Sequence, residues 1–149
     1  MEVKKVLCAV DLEDTIAPSV EYAKMMASMT GASILVAYVI PAHTPYEDVY
    51  LSVNNQPNEV NNPNETIQKS MNALLAEQFA GMDATGVILV GRPSEELVKL
   101  AEEKGASLIV MGTHGRAGFD RLLFGSVAHG VVRAAPCPVM TVRPPMPKK

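Results

Sequence analysis

The chain is poor in cysteine, with only Cys8 and Cys137 among 149 residues. No CxxC and no clustered His/Cys pattern occurs, which excludes a zinc site of the usual spacing. Two thiols in a cytosolic setting read as reduced core residues rather than as a disulfide or a metal pair. Basic residues are not in excess. The 13 Lys and Arg stand against 16 Asp and Glu, a net charge of −3, which leaves no electrostatic footprint for nucleic acid. No apolar run approaches the roughly 20 residues that span a bilayer. Met1-Glu2-Val3-Lys4-Lys5 leads straight into a strand-like segment, with no apolar signal-peptide region. A cytoplasmic protein with neither nucleic acid nor membrane as partner is expected. Two glycine signatures are also missing. No G-x-x-x-x-G-K-[ST] occurs, so there is no P-loop, and no G-x-G-x-x-G follows the first strand.

What the chain does have is a core and a rhythm. Apolar residues make up 48% of it, and its length is that of one ordinary domain, 1–149. Val6-Leu7-Cys8-Ala9-Val10 is short and continuously apolar, as a strand covered on both faces should be. Ile16, Val20, Ala23 and Ala27 then fall at helical spacing, with Asp14 or Thr15 as cap, Pro18 in the first turn and Gly31 as stop. Ser33–Ile40 is a second buried strand that Pro41 ends. From about 42 to 64 the asparagines and prolines crowd together, which marks a long polar loop inserted within the domain. Ile67, Met71, Leu74, Leu75 and Phe79 mark a second helix, and Thr85–Val90 a third strand. Ser94 is expected to cap a third helix whose buried face is Leu97, Leu100 and Ala101 and whose stop is Gly105. Ser107–Met111 is a fourth strand. Ser126 is expected to cap a fourth helix with Val127, Val131, Ala134 and Ala135 on its apolar face. Val139–Val142 is a fifth strand, and the proline-rich end with Lys148 and Lys149 reads as a frayed tail.

This strict βαβαβαβαβ alternation implies an α/β fold: a Rossmann-like five-stranded parallel sheet, strand order 3-2-1-4-5, with helices on both faces. In that order the first and fourth strands are neighbours at the switch point, where ligands bind beyond the carboxyl ends of the strands. Asp11 ends one and Gly112 the other. The segment from Gly112 to Ser126, Gly-x2-Gly-x9-Gly-Ser, runs from a strand end to a helix start. Glycines there let backbone N–H groups approach an anion, and a phosphate site follows as the first expectation.

Val10-Asp11, Val90-Gly91-Arg92-Pro93, Met111-Gly112-Thr113-His114-Gly115-Arg116, Gly125-Ser126-Val127 and Ala135-Pro136-Cys137-Pro138-Val139 together resemble the universal stress protein family, in its ATP-binding branch. The resemblance covers almost the whole chain. It implies a site for ATP or AMP. Gly112 and Gly115 would admit the phosphates, and Gly125, Ser126 and Val127 would contact them. Asp11 would meet a ribose hydroxyl. Ala9, Val10, Val39 and Met111 would supply the adenine's apolar walls and backbone partners. His114 reads as a loop residue or phosphate neighbour, and Arg116 as a balance for phosphate charge. Mg2+ would enter only through the phosphates; no dedicated metal site and no catalytic residue is visible. The resemblance also implies a homodimer through the fifth strand, Val139, Met140, Thr141 and Val142, an edge uncharged until Arg143. A regulatory nucleotide-binding module of the stress response is the leading expectation. A slow ATPase or nucleotidyl/phosphoryl transferase in the same crevice is the alternative. Two departures from the family pattern stand out: Ala117 replaces a frequent serine, and His129-Gly130 sits inside a helix. Glycine there costs roughly 0.8–1.0 kcal/mol relative to alanine and points to close packing against a partner.

Overall fold

The computed structural model describes residues 2–12, 17–41, 63–113 and 125–143. Within them the elements run β1 (Lys5–Ala9), α1 (Pro18–Thr30), β2 (Ser33–Pro41), α2 (Pro63–Gln78), β3 (Ala84–Gly91), α3 (Pro93–Lys104), β4 (Leu108–Gly112), α4 (Ser126–Ala134) and β5 (Val139–Val142). The strands form one sheet in the order β3-β2-β1-β4-β5. Every neighbouring pair is parallel, in registers that set Cys8 opposite Val36 on one side and Val110 on the other. The expected α/β topology is the one observed.

The continuous apolar runs exist because each strand feeds two cores. A strand's side chains alternate between faces, so Val6, Cys8, Ile34, Val36, Leu108 and Val110 pack beneath α1 and α2, against Val20, Ala23, Ala27, Ile67, Met71 and Leu74. Leu7, Leu35, Ala37, Ile109 and Met111 face the other way, against Leu97, Leu100 and Ala101 of α3 and Ala128 and Val131 of α4.

Helix ends follow local chemistry. Pro18 and Pro93 open α1 and α3, where a missing N–H is harmless. Gly31 closes α1 in the left-handed region at φ 75°, its N–H donating to the Ala27 carbonyl at 2.8 Å. Several expectations shift. Arg92, not Ser94, is the N-cap of α3, because Pro93 takes the first helical position. Gly125 is the N-cap of α4, which leaves Ser126 as its first residue. The first four strands each extend or shift by about a residue relative to the sequence reading, while β5 has the expected bounds. The polar insertion is shorter than expected, since α2 already begins at Pro63; residues 42–62 lie outside the described residues, as do Asp14, Thr15 and Ile16. Phe79 is buried but follows the end of α2. On α4 the buried pair is Ala128 and Val131; Val127 and Ala135 are half-buried, and Ala134 lines a groove against α3 instead of the core.

Gly130 explains that turn of α4. A Cβ at this position would lie 2.7 Å from Cβ and 2.9 Å from Oγ of Ser94. Glycine therefore lets α4 settle directly on the first turn of α3. The close packing expected from the sequence is internal to the chain.

Candidate nucleotide site at the switch point

β1 and β4 lie side by side, so Ala9-Val10-Asp11 leaves the sheet next to Met111-Gly112-Thr113. The chain order reverses here: β2 and β3 lie on one side, β5 on the other. Such a reversal parts the loops and opens a crevice at the carboxyl ends of the strands. The Val10 N–H donates to the Ala37 carbonyl at 2.9 Å, which holds the exit of β1 against β2. Ala9, Val10 and Asp11 are half-buried. Val39 and Met111 are 9% and 4% exposed, their side chains sunk in the layer beneath α3 and α4. Ala9 packs against that same layer, and Val10 against the opposite one.

α4 brings the electrostatics. The Gly125 N–H donates to the Thr113 carbonyl at 2.6 Å, and the Thr113 N–H donates to the Val142 carbonyl at 3.1 Å. The start of α4 is thus tied to the ends of β4 and β5, beside the crevice. The first turn closes with the His129 N–H on the Gly125 carbonyl at 3.0 Å. The N–H groups of Ser126, Val127 and Ala128 consequently have no partner within the helix. Among the described residues no side chain caps this end, and no acidic residue stands in the helix's first turn. A helix N-terminus carries about half a positive elementary charge. Here it is uncompensated by the helix's own residues, and Ser126 is exposed.

Of the residues singled out from the sequence, Ala9, Val10, Asp11, Val39, Met111, Gly112, Gly125, Ser126 and Val127 gather at this end of the sheet. His114, Gly115, Arg116 and Ala117 lie outside the described residues. Thr113 was not anticipated. It is one of two buried polar residues among the described ones, at 3% exposure. Its signal in the sequence is a polar side chain directly after an apolar strand. The two cysteines stand away from this chemistry. Cys8 is fully buried in β1, and burial pushes its thiol up to about 12. Burial also raises the Cys137 thiol, which packs under α4. Among the described residues no group of three or more His, Cys, Asp or Glu could hold a metal ion, and no helix is long and apolar enough to cross a membrane. A depression of about 480 Å3 lined by Glu2, Val3, Lys4, Thr30 and Gly31 lies at the opposite end of the strands. Its charged residues, Glu2 and Lys4, pair with each other in solvent at 3.4 Å.

The universal stress protein family model matches residues 2–143. The chain belongs to the universal stress protein family. The universal stress protein MJ0577 of Methanocaldococcus jannaschii is 28% identical over 153 residues, covering 94% of each chain. Its solved structure superposes with a TM-score of 0.77 at 26% identity, over 99% of this chain and 100% of that one. A universal stress protein solved in complex with cAMP superposes with a TM-score of 0.68 at 23% identity, over 96% and 98% of the two chains. The universal stress protein of Archaeoglobus fulgidus in complex with dAMP does so with a TM-score of 0.59 at 24% identity, over 95% and 98%. These last two likenesses establish the common fold of family members that carry adenine nucleotides.

Proposed function

We propose that this universal stress protein binds an adenine nucleotide, ATP or AMP, in the crevice between β1 and β4, and acts as a cytoplasmic homodimeric regulatory module of the stress response. Residues 1–149 make up one such nucleotide-binding unit. The observation that carries the reading is the N-terminus of α4, where the N–H groups of Ser126, Val127 and Ala128 have no intrahelical partner, at the end of β4 beside a strand-order reversal. An anion is the natural occupant of such an end. The cAMP and dAMP complexes of two family members support an adenine nucleotide as its source.

The phosphates sit on Gly112, Gly115, Gly125, Ser126 and Val127, with His114 and Arg116 as neighbours and Mg2+ arriving only with the phosphates. Asp11 accepts a hydrogen bond from a ribose hydroxyl. Ala9, Val10, Val39 and Met111 border the adenine. The dimer forms through β5, which ends the sheet and carries no charge over Val139–Val142; an uncharged edge strand favours pairing with another.

Denaturing freshly purified protein and identifying what it releases tests the reading. ATP or AMP near one per chain is the expected result. Release of no adenine nucleotide, together with no uptake by the refolded chain, would overturn it. ADP accumulating from added ATP, and lost in Asp11→Ala, would mark slow hydrolysis in the same crevice.

A further inference from the structure

Thr113 belongs to two elements at once. Its N–H extends the β4–β5 ladder by one bond, to the Val142 carbonyl at 3.1 Å, and its carbonyl receives the N-cap N–H of α4 from Gly125 at 2.6 Å. Gly125 in turn accepts the first bond of α4 from His129 at 3.0 Å. Three main-chain bonds therefore run from the last residue of β5 to the first turn of α4, through a residue 3% exposed. The other end of β5 is fixed as well. The Ile109 N–H donates to the Pro138 carbonyl at 3.0 Å. Between α4 and β5 lie only Ala135-Pro136-Cys137-Pro138, two of them prolines with a locked φ. Ala135, Cys137 and Val139 all pack into the same core layer as Ala128 and Val131. α4 and β5 are thus one body, with N–H groups that lack intrahelical partners at the start of one and, among the described residues, the edge of the sheet along the other.

We infer that nucleotide binding and dimerisation are coupled in this protein, with Thr113 as the positioning residue between the two surfaces. The inference rests on the nucleotide and edge-strand readings above. A phosphate held by the first turn of α4 fixes Gly125, hence Thr113, hence the carboxyl end of β5. An edge strand with a fixed end pairs with a second copy at a smaller loss of backbone freedom. Linkage makes the effect reciprocal: the factor by which saturating nucleotide tightens the dimer is the product of the factors by which dimerisation tightens its two sites.

Sedimentation velocity on a dilution series of the nucleotide-free chain, with and without saturating ATP, measures the coupling, and calorimetry on the same samples measures ATP binding itself. The dimer is expected to tighten by about 5- to 150-fold, the usual range for coupled sites. ATP that binds while the dimer constant stays within about twofold overturns the coupling and leaves the site reading intact. No ATP uptake overturns the site reading and this inference together. Where the dimer is too tight to dilute apart, Met140→Asp and Thr141→Lys, each placing a charge on β5, give monomers expected to bind ATP more weakly by the square root of that factor, since the two sites of a dimer share it; unchanged affinity overturns the coupling. Amide exchange on the wild-type chain covers the case in which neither variant folds. ATP should slow exchange at Thr113 and along β5 relative to β3, and uniform slowing or none contradicts the inference.

Discussion

Gly130→Ala sets two effects of opposite sign against each other. By helix propensity alone alanine stabilises the middle of α4 by roughly 0.8–1.0 kcal/mol. A gain of that size would raise the melting temperature by about 2–4 °C in a domain of this length. The packing opposes it. The new methyl would lie 2.7 Å from the Cβ of Ser94, an atom fixed to the backbone of α3 that no side-chain rotation can withdraw. Opening the two helices far enough costs about 1–3 kcal/mol, the range for overpacked sites. The net expectation is a loss of about 1 kcal/mol in place of a gain. Ser94→Gly removes both clashing atoms, so in that background the same substitution should recover its propensity gain. Urea unfolding of the four proteins, followed by circular dichroism, closes the cycle, with an expected interaction of about 1–3 kcal/mol. An equal effect of Gly130→Ala in both backgrounds would refute the idea that close helix approach is what this glycine provides.

Other outcomes follow from the same structure. Ser126→Asp places a carboxylate in the bare first turn of α4, an exposed position. It should stabilise the fold by about 0.3–1 kcal/mol through the helix dipole while weakening nucleotide binding by at least about tenfold through repulsion of the phosphates; thermal melts and calorimetry should move in opposite directions. For Cys8 the native thiol is raised from 9.0 to about 12. The unfolded chain thus loses its proton first, and stability is full below pH 9 and falls above it. Relative to Cys8→Ala, the wild type should lose about 1 kcal/mol between pH 7 and 10, and an unchanged difference in urea unfolding would contradict the burial. A thiol reagent applied to native protein at pH 8 should label Cys137 and spare Cys8, as mass mapping of the labelled peptide can check. Arg92→Ala removes an ion pair to Glu95 whose side chains are 79% and 67% exposed, and it should leave the melting temperature within about 2 °C.

The sheet was legible because its strands are apolar on both faces. Runs such as Ser33–Ile40 suit a parallel strand and little else, and β5 matched residue for residue. Right-handed crossovers then left few strand orders. Helix beginnings were less legible. Ser94 and Ser126 each sit where a cap belongs by residue type, yet Pro93 claims the first position of α3, and Gly125, bonded to Thr113, claims the cap of α4. Such choices depend on tertiary bonds that no local pattern displays. The buried face of α4 was misread for a related reason: Ala128 and Ala134 have the same hydropathy, and the packing of Ala128 and Val131 into the core, with Gly130 against Ser94, sets which one turns inward. Asp11 and Gly112 were brought together by topology alone. Thr113 escaped notice because the bonds that join it to Val142 and Gly125 run through its backbone, which every residue type has in common.

An adenine nucleotide is proposed to bind where the N-terminus of α4 is tied to the end of β4. Calorimetric titration of nucleotide-free protein with ATP, repeated with AMP and with Gly125→Val, tests it most directly. One site per chain for at least one of the two nucleotides, lost in Gly125→Val while the circular dichroism spectrum is unchanged, is the predicted result. Absence of binding to the wild type, or equal affinity in the variant, would contradict it.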